Sequence, residues 1–243
     1  MKYKTSAAFR RALEERLRQQ SLEGGQPLTR LRKMVAFDRF LARLAKKEPE
    51  AWIVKGGFAL QLRLGTRART TKDIDVSLTN RWTREETTAH LQAVAFLVFG
   101  DWFEFQVSEP TEAATGAPAH GLRFPIRCLL DGRQFENFHL DVGYGDPVLE
   151  TPDVLTGPDL AAFAGIAPAT VRCYLSCATR RRVRDSGPKT RTGNRLRLPV
   201  SGVRCFRRGS VRRALPTVRT ARAVWSFDLR MHSRWSQSYL LSR

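Results

Sequence analysis

The sequence predicts an α/β (α+β) fold, a mixed sheet flanked by helices, on three observations. Segments with apolar residues at helical spacing interleave with segments of strict polar–apolar alternation over residues 1–172. One apolar strand runs through paired glycines into a short helix, and the chain returns as an Asp-x-Asp strand. Two further strands are joined by Asp131-Gly132, a strong hairpin signal. A chain of 243 residues with 42% apolar content holds one medium domain with room for an appendage. The longest apolar run, Ala93 to Phe99, is far too short for a membrane span. The N-terminus leads into a charged helix instead of an apolar leader, so a cytoplasmic protein without membrane contact is expected.

In chain order, Phe9, Leu13 and Leu17 predict a helix over 6–21, and Leu28, Leu31, Val35, Phe40, Leu41 and Leu44 a second over 28–45. Both read as packing helices (residues 1–50). Their basic residues (Arg10, Arg11, Arg16, Arg18, Arg30, Arg32, Lys33) read as a solvated face, with contact to an RNA backbone as the alternative. The core then spans 51–172. Trp52 to Val54 is an apolar strand, Phe58 to Leu64 a short helix stopped by Gly65, and Asp73 to Leu78 a half-buried strand. Thr83-Arg-Glu-Glu86 is a capping box for a helix over 84–98. Strands follow at Trp102–Ser108, Leu122–Leu130 and Gln134–Val142, with a Pro/Ala/Thr/Gly loop from Pro110 to Pro118. The Pro/Gly/Ala-rich stretch from Pro152 leads into one more strand near Val171.

The chemistry concentrates between Trp52 and Leu78. Gly56-Gly57 lets backbone approach a ligand closely, and the N–H groups of the helix that follows offer an anion site. A basic Thr/Arg loop (Thr66, Arg67, Arg69, Thr70, Thr71, Lys72) comes next. Asp73 and Asp75, two apart on a strand, share a face about 6.6 Å apart at Cα. Such a pair reaches around Mg²⁺, which takes oxygen ligands and shares them with phosphates. Singly, a Gly-Gly also fits a turn and an Asp-x-Asp a solvated strand; their order is what points to phosphoryl chemistry.

That order resembles the polymerase-beta-like nucleotidyltransferase superfamily. The wording Lys55-Gly-Gly-Phe-Ala-Leu60 with Arg69-x-Thr71-x-Asp73-Ile-Asp75 is similar to AbiEii/AbiGii-type (MenT-like) toxin nucleotidyltransferases, and the likeness extends loosely over about 30–172. The resemblance implies a polymerase-beta-like core and transfer of a nucleoside monophosphate from an NTP. It further implies Mg²⁺ or Mn²⁺ as metal, RNA (a tRNA 3′ end) as acceptor and a cognate antitoxin as partner. It implies Asp73, Asp75 and a third carboxylate as metal ligands and catalytic groups. Asp141 fits the third place, because alternation in His139-Leu-Asp-Val142 turns it away from the apolar face. The alternative is that Asp141, Gly143 and Asp146 merely end a strand; Glu104 is a lesser candidate. Lys55, Gly56, Gly57, Arg67, Arg69, Thr71 and Lys72 would bind the triphosphate. His139 reads as an exposed histidine, with contact to base or metal as the alternative. The family's later lysine and aspartate helices find no counterpart after residue 172.

From 173 to 243 the character changes. This tail holds 18 of the 42 basic residues and two acids, a charge of +16, against +3 for residues 1–172. It has 17 arginines, one lysine, nine serines and no glutamate, and no helical or strand period persists. Three readings stand: a basic arm neutralising nucleic-acid phosphates, a disordered extension, or a shifted reading frame of a GC-rich gene. Four cysteines and four histidines are irregularly spaced, which argues against zinc. Two other functions compete with transfer: an inactive relative that binds nucleotide or RNA, and a basic nucleic-acid-binding protein.

Overall fold

In a computed structural model, which describes residues 1–112, 121–144 and 151–174, three helices cover one face of a mixed sheet. Asp146, positions 113–118 of the expected loop and the tail beyond 174 lie outside the described residues. The helices are α1 (Ser6–Gly24), α2 (Leu28–Lys47) and α4 (Arg84–Ala95); a short α3 (Gly56–Leu64) follows the first strand. The strands are β1 (Trp52–Lys55), β2 (Ile74–Leu78), β3 (Phe103–Val107), β4 (Thr111–Glu112), β5 (Gly121–Leu130), β6 (Arg133–Tyr144), β7 (Asp153–Thr156) and β8 (Thr170–Cys173). Their order is β3-β5-β6-β2-β1-β8-β7, with β4 on the outer side of β5.

Alternation decides the faces. Phe124, Ile126, Cys128 and Leu130 of β5, Phe138, Leu140 and Val142 of β6, and Ile74, Val76 and Leu78 of β2 are buried in one cluster with the helices. Phe37 of α2 anchors it, meeting Phe138 at 5.0 Å and Phe58 of α3 at 5.2 Å in edge-on geometry. The intervening residues of β5, β6 and β2 form the opposite face, where the site is built.

Two predicted ends move. α4 stops at Ala95 rather than at 98: the Leu97 carbonyl accepts from Arg43 Nε, leaving Phe96 and Val98 exposed. β7 was not foreseen in the Pro/Gly-rich stretch; it pairs with β8 over four residues and is tied to α3 by the Arg63–Asp153 ion pair. The capping box forms as predicted, with Thr83 and Glu86 each bonding the other's backbone N–H. Asp131 and Gly132 both take positive φ, as the two-residue hairpin requires.

The solvated basic face assigned to α1 and α2 holds for Arg11, Arg16 and Arg18, which are exposed, and is corrected for Arg10, Arg30 and Arg32. Arg10 donates to the carbonyls of Leu130 (2.6 Å) and Arg133 (3.2 Å). Arg32 donates to Phe135 O, and Arg30, itself buried, to Gly65 O at 3.0 Å. Arg10 and Arg32 thereby tie α1 and α2 to the β5–β6 hairpin, and Arg30 ties α2 to the turn after α3.

A buried charge cluster does the same deeper down. Arg43, with no exposed surface, holds Asp101 in a fork (2.7 and 3.1 Å) and donates to Phe103 O at 2.8 Å. Arg39 pairs with Asp38 and donates to Ala167 O, while Asp38 accepts from Ala169 N at 2.8 Å. Burial pushes the Asp38 carboxyl above the usual range despite Arg39. This cluster fixes α2 against β3 and against the approach to β8.

Candidate active site

Register places the candidate side chains. β1 runs antiparallel to β2 with Lys55 opposite Asp75; β2 runs parallel to β6 with Asp75 beside Asp141; β5 runs antiparallel to β6 with Arg123 opposite Asp141. Residues paired across neighbouring strands point to the same face, about 5 Å apart. Lys55, Asp75, Asp141 and Arg123 therefore form one row across four strands. Asp73 and His139 sit one step along the same face, with His139 Nδ1 donating to Asp73 Oδ1 at 3.1 Å.

The glycines are packed against this row. Gly56 has φ +64°, and a Cβ built there would overlap the Asp75 carboxylate. At Gly57 an added Cβ would stand 2.9 Å from Thr71 Oγ1, whose hydroxyl donates to Asp73 O at 3.0 Å. α3 starts at the glycines themselves, and the Gly57 N–H donates to Asp75. The first turn of α3 thus already serves a carboxylate. Burial and the neighbouring Asp141 push Asp75 above the usual carboxylate range; the Gly57 N–H and Lys55 offset this in part. Three acids on one face repel one another and favour a cation among them.

Beside Lys55, the row gains a second cation in Arg123, which the sequence reading did not name. Its Nε and Nη2 lie 2.7 Å from the two oxygens of Asp141, and Nη2 is 3.5 Å from Asp73 Oδ2. The carboxylates raise its already high pKa further. A signal for it existed. A two-residue hairpin at 131–132 pairs Leu130 with Arg133, which would set Arg123 opposite Leu140 and mismatch the apolar faces of both strands. A β-bulge between Cys128 and Leu129 shifts the register by one residue and brings Arg123 onto Asp141.

Beside the row opens a cleft of about 660 Å³, lined by Lys33, Lys72, Asp73, Arg123, Arg127 and His139 among others. Lys72 reaches it; Arg67 and Arg69 are exposed on the preceding loop and are not among its lining residues. Glu104 is set apart, since it pairs with Leu129, six residues along β5 from Arg123 and hence about 20 Å away. Asp73, Asp75 and Asp141 supply the hard oxygen donors that Mg²⁺ or Mn²⁺ prefers, so the donor chemistry suits the ion. Among the described residues no three Asp, Glu, His or Cys side chains are gathered as a finished metal site. Both Asp141 oxygens are held by Arg123 instead.

Residues 39–177, well over half the chain, match the model of the nucleotidyl transferase AbiEii toxin family of type IV toxin–antitoxin systems. The chain belongs to the AbiEii family. The match contains the glycine pair, the three aspartates and Arg123, and it ends where the arginine-rich tail begins. Among solved structures, the nucleotidyltransferase toxin MenT4 from Mycobacterium tuberculosis is similar at 19% identity and a TM-score of 0.48. That alignment covers 68% of this chain and 55% of MenT4, so the chain spans about half of that protein's length. A search of curated proteins finds no match. Among the described residues no helix is long and apolar enough to cross a membrane.

Proposed function

We propose that this AbiEii-family chain transfers a nucleoside monophosphate from an NTP to an RNA 3′ end, that of a tRNA, with pyrophosphate leaving, as the toxin opposed by a cognate antitoxin. One observation carries the reading. Asp75 and Asp141 stand side by side on parallel strands, with Asp73 one step away and Gly56-Gly57 packed directly against Asp75. In this proposal Asp73, Asp75 and Asp141 hold Mg²⁺ or Mn²⁺, which supplies charge neutralisation at the reacting phosphate and activation of the acceptor hydroxyl. His139 orients Asp73 through its Nδ1. Gly56 and Gly57 keep the backbone low beside the row, and Thr71 braces Gly57 from the loop. Lys55, Lys72, Arg67 and Arg69 offset the charge of the triphosphate. The cleft lined by Lys33, Lys72 and Arg127 suits the anionic backbone of the acceptor.

A second reading, nucleotide binding without transfer, is favoured by the hold of Arg123 on Asp141. One experiment separates the two. The purified chain is incubated with each labelled NTP, Mg²⁺ and total RNA, beside an Asp73→Ala/Asp75→Ala double variant. Label entering RNA only with intact aspartates is the expected result. NTP binding without label in RNA would leave the second reading in its place.

A further inference from the structure

We infer that Arg123 competes with an incoming divalent cation for the oxygens of Asp141 and Asp73, so that metal loading requires this guanidinium to swing away. The inference rests on the proposed role of the three aspartates as metal ligands. Three features of the site carry it. The contact with Asp141 is a two-pronged fork at 2.7 Å on each oxygen, the strongest geometry an arginine makes with a carboxylate. The same guanidinium leans on Asp73 at 3.5 Å, so it spans two of the three candidate ligands. It is also held there by a structural device: the bulge at Cys128/Leu129 is what puts Arg123 in line with Asp141 rather than with Leu140.

Arg123 also lines the 660 Å³ cleft, so a released guanidinium has open space to enter. Asp141 then has both oxygens free, and Asp73 keeps His139 as its partner. Asp75 accepts from the Gly57 N–H and has Lys55, not an arginine, opposite it on β1. Arg123 is thus a positioning residue that sets the occupancy of the site.

The test is a Mn²⁺ titration of the full chain, following free Mn²⁺ by electron paramagnetic resonance, for the native protein, Arg123→Gln and Arg123→Lys. Removing a charge-assisted fork should tighten Mn²⁺ binding about tenfold in Arg123→Gln. Arg123→Lys should fall between, because an ammonium cannot span both Asp141 oxygens in one plane; it decides the matter should the glutamine variant not fold. Equal or weaker Mn²⁺ binding in the variants overturns the inference while leaving the metal reading intact. Unchanged Mn²⁺ affinity with weakened NTP binding overturns it likewise, and assigns Arg123 to the triphosphate. Failure of all three proteins to bind Mn²⁺ overturns both this inference and the proposed metal site.

Discussion

Among the described residues stand two aspartate–arginine clusters, and they are built to opposite ends. In the buried one, Asp38 and Asp101 face Arg39 and Arg43: two acids, two bases, every group within reach of a partner, almost no exposed surface. In the other, Asp73, Asp75 and Asp141 share the single guanidinium of Arg123, with Lys55 next in the row, and stand at the edge of an open cleft. A closed ledger of charge holds α2 to the sheet; an open one, with acids in excess, leaves work for a cation. Similar residue types therefore carry architecture in one place and, in the proposed function, chemistry in the other, and saturation is what tells them apart.

Four measurements break or sharpen that contrast. The largest effect is expected from Asp141→Ala: nucleotide transfer per folded molecule should drop at least about a hundredfold, because a charge-stabilising group at the reacting centre is lost. Its melting temperature should move less than that of any buried-cluster variant. Arg43→Met should do the reverse. Leaving Asp101 buried and unpaired costs about 3–5 kcal/mol in chemical denaturation, while transfer by the molecules that remain folded should stay near native. Gly56→Ala sits between the two clusters in kind. Its positive φ costs about 1–2 kcal/mol, and the added methyl displaces Asp75, so stability and transfer should fall together.

The smallest effect concerns pH. Asp38 has a folded pKa above its unfolded one, so between those values the folded state binds more protons and stability falls as pH rises. Denaturation followed from pH 4 to 7 should show that slope, and Asp38→Asn should flatten it. A slope unchanged by the substitution would mean that Arg39 fully compensates the buried carboxylate.

Much of this was open to reading along the chain. The helices, the capping box, the Asp131-Gly132 hairpin and the Gly-Gly to Asp-x-Asp order are local patterns, and each formed close to where its pattern lay. The face of Asp141 followed from the alternation of Phe138, Leu140 and Val142. β7 escaped because four residues, three exposed and one half-buried, leave no periodic trace. Arg10 and Arg32 were misread as solvated because a helical wheel cannot know that carbonyls of the β5–β6 hairpin lie within reach.

By itself the sequence determined which residues are apolar, with what period, and where turns interrupt them, since torsional preference and side-chain periodicity act over a few residues. It thereby set the two faces of the sheet and placed Asp73 and Asp75 on the open one. Only the tertiary structure decided that β2 lies parallel to β6 with Asp75 beside Asp141, which brings the Arg123–Asp141 pair of the hairpin into one row with Asp75. Strand partnership joins residues more than sixty positions apart. It is won by the shared burial of apolar faces, Ile74 with Leu140 and Val76 with Val142, and that contest between distant segments leaves no mark on any one of them.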